Sequence, residues 1–239
     1  MAGAVILALL AVTAAGCSHG SSPQPRTVTT DESQLLAIVR FNNFDAGSRP
    51  FSASVTEDAT QLHLKGWIDY TSDLGYAAVT GSSFTSQVLL WNASTVGVHD
   101  ATPDTQGNPP LPILPASDQA WISHPLDAST SRLDALLITL SGLGSDRPDN
   151  PVLVAQSGAM WLRTDTVDGT PVTVFAAPPS DKPIDPATTT ITADSSPLRL
   201  WVNSAGLMLR AEIRIGGDWS TADFPDTSAP SLTVVSAPG

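Results

Sequence analysis

Few side chains in this 239-residue chain have the types and spacing for covalent or metal chemistry, and most of what they offer can be set aside. The four histidines, His19, His63, His99 and His124, stand in separate segments without the spacing of an HExxH helix. The single cysteine, Cys17, has no second thiolate to share a zinc ion, so no metal site is expected. Neither a GxSxG elbow nor an SxxK pair marks a serine nucleophile. A dispersed Ser-His-Asp site needs no local motif and stays open. It requires a serine or aspartate within hydrogen-bond reach of His63, His99 or His124. No GxGxxG or Walker loop is present, so no nucleotide cofactor is expected. Asp100 with Asp104, and Asp146 with Asp149, lack a calcium loop's closing glutamate and read as turn initiators.

The residue best placed for modification is Cys17. An apolar run from Ala4 leads into Ala14-Ala15-Gly16-Cys17, and Ser18, His19 and Gly20 follow. The run is shorter than the ~20 residues of a spanning helix and has the character of a secretory signal. The tetrapeptide resembles a bacterial lipobox. That resemblance implies cleavage before Cys17 and acylation of its sulfur and new amino terminus, which supplies the two or more chains that stable anchoring needs. Ala14 stands where leucine or valine is usual, and no basic residue precedes Arg26. A plain secretory signal with an incidental cysteine is the alternative.

Composition narrows the partners. A formal net charge of -12 repels nucleic-acid phosphates, so nucleic-acid binding is not expected. With one cysteine no internal disulfide can form, and stability rests on a core that 41% hydrophobic residues can supply. The expected organisation is a signal peptide over 1–16, the acylated cysteine and a Ser/Pro/Thr-rich tether over 17–29, and one domain over 30–239.

The elements follow from periodicity. Thr30 or Asp31 opens a helix to about Phe44, with Leu35, Leu36, Ile38, Val39 and Phe41 inside. Period two then begins: Phe51 to Val55 and Leu62 to Tyr70 form a hairpin, and Tyr76–Thr80, Gln87–Asn92 and Thr95–His99 continue an antiparallel meander. Ala101 to Ser117 carries five prolines and reads as an ordered loop or flap. A second helix from Ser129 or Ser131 places Leu133, Leu136, Leu137, Leu140 and Leu143 at helical spacing, closed by Gly142 and Gly144. Met160–Thr164 and Pro171–Ala176 flank an Asp168-Gly169 turn. Leu198–Asn203 and Leu207–Ile215 form a further hairpin, with Leu207, Leu209, Ala211, Ile213 and Ile215 in one phase. Leu232–Val235 is a candidate edge strand. Trp67 and Trp201 fall in the polar phase of their strands, where together they would form a docking patch for a membrane protein or lipid surface.

The order helix, meander, Pro-rich loop, helix, hairpin at Val167-Asp168-Gly169, then Trp201-Val202-Asn203 leading to Gly206-Leu207-Met208-Leu209-Arg210, resembles the actinobacterial LppX/LprG group of envelope lipoproteins, within the LolA/LolB-like half-barrels. The resemblance implies an α+β fold: a curved antiparallel β-sheet, the half-barrel, with helices covering its concave face. It also implies a non-enzymatic protein, held at the extracytoplasmic face of the cell membrane through Cys17, that binds or transports an acyl lipid or glycolipid in an apolar cavity. A membrane transporter is a conceivable partner on such a route. Candidate wall residues are Leu35, Ile38, Val39, Leu133, Leu136, Leu137, Leu140, Leu209 and Ile213, with Ala101–Ser117 as the flap that governs release. The other reading of the same residues is a filled core, in an accessory lipoprotein acting through surface contacts such as the Trp67 and Trp201 face.

Overall fold

The computed structural model describes residues 24–82, 84–113, 121–185 and 187–232; Cys17, the signal segment, residues 114–117 of the Pro-rich loop and residues 233–235 lie outside them. A short strand β1 (Arg26–Thr27) precedes helices α1 (Thr30–Ala37) and α2 (Val39–Asp45). The meander follows as β2 (Ser48–Glu57), β3 (Thr60–Asp69), β4 (Leu74–Gly81), β5 (Phe84–Trp91), β6 (Thr95–Asp100) and β7 (Ile122–Pro125). Helices α3 (Arg132–Ser141) and α4 (Pro151–Gln156) lead to β8 (Met160–Val167), β9 (Thr170–Ala176), β10 (Leu198–Val202), β11 (Met208–Ile215) and β12 (Asp218–Asp223). The strands make one antiparallel sheet in the order β1-β8-β9-β10-β11-β12-β2-β3-β4-β5-β6-β7, curved and unclosed, with the helices on its hollow side. This is the α+β half-barrel expected from the sequence.

Local chemistry explains the elements. Asp58 and Ala59 at φ 44° and 65°, and Asp168 and Gly169 at 48° and 81°, make the left-handed two-residue turns that match strand twist. The Thr29 hydroxyl accepts the Glu32 N–H and the Glu32 carboxylate accepts the Thr29 N–H, so the cap of α1 is Thr29 rather than the expected Thr30 or Asp31. Ser131 caps α3 through the Asp134 N–H. The tether read over 18–29 runs into the sheet, since Arg26 and Thr27 pair with Trp161 and Met160.

The helix-side core joins Phe51, Leu64, Ile68, Val79, Leu89 and Trp91 of the sheet to Leu36, Val39, Leu136, Leu137 and Leu140 of the helices. Phe51 meets Trp91 edge-on at 6.0 Å, and the Trp91 indole N–H donates to the Ser141 hydroxyl. On the other face two smaller clusters lie beneath the Pro-rich loops. One gathers Val174, Trp201 and Leu209 under Ile191 and Ala193, and the other gathers Tyr76, Val88 and Ile113 with Trp67 packed against them. Long loops over an apolar outer face commonly create such satellite clusters.

Several elements differ from the sequence reading, and the single helix expected to about Phe44 breaks at Ile38 into α1 and α2. Strand β12 follows the Gly216-Gly217 turn and joins the two halves of the sheet, whereas Leu232, the first residue of the expected edge strand, is not in a strand. The phase of β11 also breaks. Trp201 pairs with Arg210 but Val202 with Met208, so Leu209 is an extra residue, and the bulge turns Met208 rather than Leu209 onto the helix side.

Candidate functional site

An apolar cleft opens beside the helices, at the end of the half-barrel built by β9 and β10. Leu36, Val39 and Arg40 form one wall and Leu153, Val154 and Ser157 the opposite one. Leu198 and Leu200 of β10 make the floor, and Ala177 with Pro178–Asp181 closes the side. The cleft encloses about 450 Å³. Its position depends on α4, six residues that pack against α1. Asn150 starts that helix by accepting the Val152 N–H at 3.0 Å, and Pro151 follows at the first helical position, where its missing N–H costs nothing. The Gln156 carbonyl accepts the Ile184 N–H, which moors the Pro-rich excursion beside α4.

Arg40 stands at the rim. Its guanidinium donates to the carbonyls of Gly142 (3.0 Å) and Gly144 (3.4 Å) and to Asp149 (3.2 Å), so it ties the α3–α4 connection down rather than offering a free charge. Inside, the Ser157 hydroxyl is the buried polar group, without a hydrogen-bond partner among the described residues. The arrangement suits burial of hydrocarbon.

Of the nine wall candidates, Val39 alone lines this cleft. Leu136, Leu137 and Leu140 have no exposed surface, so none of them borders a space that admits water. Leu35, Leu133 and Ile213 pack in the same core. Ile38 sits against Gly206 at the β10–β11 turn, and Leu209 faces the opposite side of the sheet because of the bulge. The hollow expected beneath both helices is filled at α3, and the open space lies to one side, between α1, α4 and the end of the sheet. Leu36 stands within the expected helix and Leu153 is flagged only by the Asn-Pro start of α4. Ala177, Leu198 and Leu200 carry no sequence signal that sets them apart from core.

The other expectations are also redistributed. Trp201 is 2% exposed. Its indole N–H donates to Asp165 at 3.0 Å and the Arg163 guanidinium lies 5.4 Å from its ring, so it cannot serve as a docking residue. Trp67 belongs to the other outer cluster, four strand spacings away, about 19 Å across the sheet, so the two do not form one patch. The described part of the Pro-rich loop lies over the outer face, away from the cleft. Lys65 donates to the Gln106 carbonyl at 2.7 Å and the Tyr76 hydroxyl to the Pro110 carbonyl at 2.8 Å. His124 comes within 3.5 Å of Asp134 on an exposed edge strand, His99 rests against Trp121, and His63 borders a groove on the outer face. None of the three is hydrogen-bonded to a serine among the described residues.

The Trp201 bond has a measurable signature. Asp165 is held below the ordinary carboxylate value, first by the Trp201 N–H, then by the Thr166 N–H and the nearby Arg163. Trp201→Phe is therefore expected to move the Asp165 titration to higher pH, followed by carboxyl-carbon NMR. An unmoved midpoint would show that Thr166 and Arg163 suffice.

The site and sheet define an open α+β half-barrel with a helix-walled apolar cleft. Among solved structures the chain is similar to the lipoprotein LppX of Mycobacterium tuberculosis, at 14% identity and a TM-score of 0.42, over 82% of this chain and 96% of that one. It is similar also to LprF from Mycobacterium bovis, at 12% identity and 0.43, over 90% and 100%. A DUF1329 family protein from Desulfovibrio piger gives 12% identity and 0.31, over 82% and 91%. The likeness is structural and remote. No family model and no curated protein matches the sequence. Among the described residues no helix is long and apolar enough to cross a membrane.

Proposed function

We propose that this protein is a non-enzymatic envelope lipoprotein that binds an acyl chain of a lipid or glycolipid in the α1–α4 cleft. The observation that carries the reading is the cleft itself: about 450 Å³ lined by Leu36, Val39, Leu153, Val154, Leu198 and Leu200, with one buried hydroxyl. That volume is in the lower part of the range of small-molecule pockets, roughly 300–1,000 Å³, and suits one chain rather than several. At ~0.8 kcal/mol for each buried methylene, a long chain has ample driving force to leave water. The lipobox-like Cys17 would keep the domain at the extracytoplasmic face of the membrane, and the tether would let the cleft reach the bilayer surface.

Native mass spectrometry of the protein purified from its own host tests the reading. The expected result is a mass excess, beyond the anchor, that is lost on denaturation and identified as an acylated molecule. A protein without such a passenger would instead be an accessory lipoprotein acting through its surface. Anchoring is tested separately. Cys17→Ala is expected to shift the protein from the membrane fraction to the medium, and unchanged fractionation refutes acylation.

A further inference from the structure

A second pocket, sharing no wall residue with the cleft, lies where β2 begins, β3 ends and the chain passes beyond β12. It encloses about 540 Å³, and its walls are polar. Ser48 and Arg49 come from the start of β2, Asp69 and Thr71 from the end of β3, and Pro225–Ala229 from a strap across the front.

Arg49 is unusual in a chain this acidic. It is 4% exposed, yet its recorded partners are neutral: Nη1 donates to Asn43 Oδ1 at 2.6 Å and Nη2 to the Phe224 carbonyl at 3.3 Å. Among the described residues no carboxylate oxygen lies within 4.0 Å of its guanidinium, although nine other ion pairs meet that distance. A guanidinium cannot shed its charge at neutral pH, and a buried charge is normally paired. The nearest candidates are not available to pair it. Asp69 Oδ1 already accepts the Thr71 N–H, the Thr71 hydroxyl and the Ser72 N–H, and Oδ2 accepts the Leu232 N–H. Asp226, exposed on the strap, lines the same space outside ion-pair distance, and its negative charge acts on Arg49 across it.

A buried cation without a carboxylate partner therefore borders a polar space. We infer that this pocket binds a phosphoryl group, with Arg49 supplying the charge. The guanidinium fork matches phosphate geometry, and the volume exceeds that of a bare ion, leaving room for the group to which the phosphate is attached. Asp226 opposes the anion from the strap, so the site is weaker than its cation alone would make it.

The test is isothermal titration calorimetry on the full chain in non-ionic detergent, at low ionic strength, with two probes. These are inorganic phosphate and sub-micellar dihexanoyl phosphatidic acid, with dihexanoylglycerol, which lacks the phosphate, as the comparison. Saturable binding of either phosphate-bearing probe is expected, weakened by about tenfold or more in Arg49→Gln through loss of a charge-assisted contact. Should Arg49→Gln fail to fold by circular dichroism, Asp226→Asn decides, because its side chain is exposed. It is expected to bind the same probe several-fold more tightly. Binding of both probes assigns a phosphate group wherever it occurs, and binding of phosphatidic acid alone assigns a lipid headgroup. No saturable binding of either probe, or equal affinity across the variants, overturns the site. Neither outcome bears on acyl chains in the cleft.

Discussion

Under the proposed acyl-binding role, Ala177→Phe is expected to weaken affinity for an acyl probe roughly fifty-fold while the protein still folds. Ala177 follows β9, its backbone N–H donates to the Leu198 carbonyl, and its side chain borders the cleft. Ala177 is buried and borders both the core and the cleft, so a phenyl ring there fills part of the open space at a modest overpacking cost. Displacing about three methylenes at ~0.8 kcal/mol each removes ~2.4 kcal/mol of transfer free energy, which is the quoted factor in affinity. Leu137→Ala provides the crossed comparison. Leu137 is fully buried away from the cleft, so its truncation should cost about 3 kcal/mol of stability with no direct effect on ligand. Displacement of a fluorescent acyl probe, read beside urea midpoints, separates the two. Equal probe affinity in Ala177→Phe and wild type would sink the cleft as the acyl site.

Gly66→Val is expected to cost about 3 kcal/mol or more, enough to remove much of a domain's margin. Gly66 sits mid-strand in β3 opposite Ala77, and the reason for glycine there is space rather than backbone freedom, because its φ is not positive. A β-carbon at this position would land on the Tyr76 carbonyl oxygen and 2.6 Å from the Ala77 Cα. Both are backbone atoms of the neighbouring strand, so no side chain can swing aside. Gly75 obeys the same constraint for a different neighbour, since its β-carbon would enter the Trp91 indole. The contrast is Gly169, at φ 81° with nothing within 4 Å, where alanine meets conformational strain of only about 1 kcal/mol. Thermal or urea unfolding of Gly66→Val and Gly169→Ala orders the two. A Gly66→Val protein as stable as Gly169→Ala would mean the β3–β4 spacing is looser than described.

Much of the scaffold was legible because its inner residues are large and alternate with polar ones, as in Leu62, Leu64 and Ile68 of β3. Strand β12 escaped notice for the opposite reason. Its buried positions are Ser220 and Ala222, too small and too polar to register as an apolar period, while its one large residue, Trp219, lies in the other phase. Helix α4 is too short for a helical period to accumulate, and its available mark was the Asn150-Pro151 start. The Leu209 bulge needs only one extra residue, which pattern reading cannot place. The cleft was illegible as a whole because it is made by segments far apart in sequence, and whether apolar side chains fill a space or surround one is decided by their mutual distances. Composition showed that the Pro-rich loops were irregular, but not that they cover the outer face.

The junction at β12 and β2 has a consequence for how the chain acquires its shape. Only Ala53 with Ala222 and Ser52 with Asp223 are paired there, against ten residue pairs between β2 and β3. Each meander closes through neighbouring hairpins, whereas this join brings together strands from opposite ends of the domain and gains little until both are formed. During synthesis the first meander is complete before its partner strand exists, so its β2 edge stays open to other chains until the last hairpin arrives. That interval, rather than any step in the finished protein, is when misassembly has its chance.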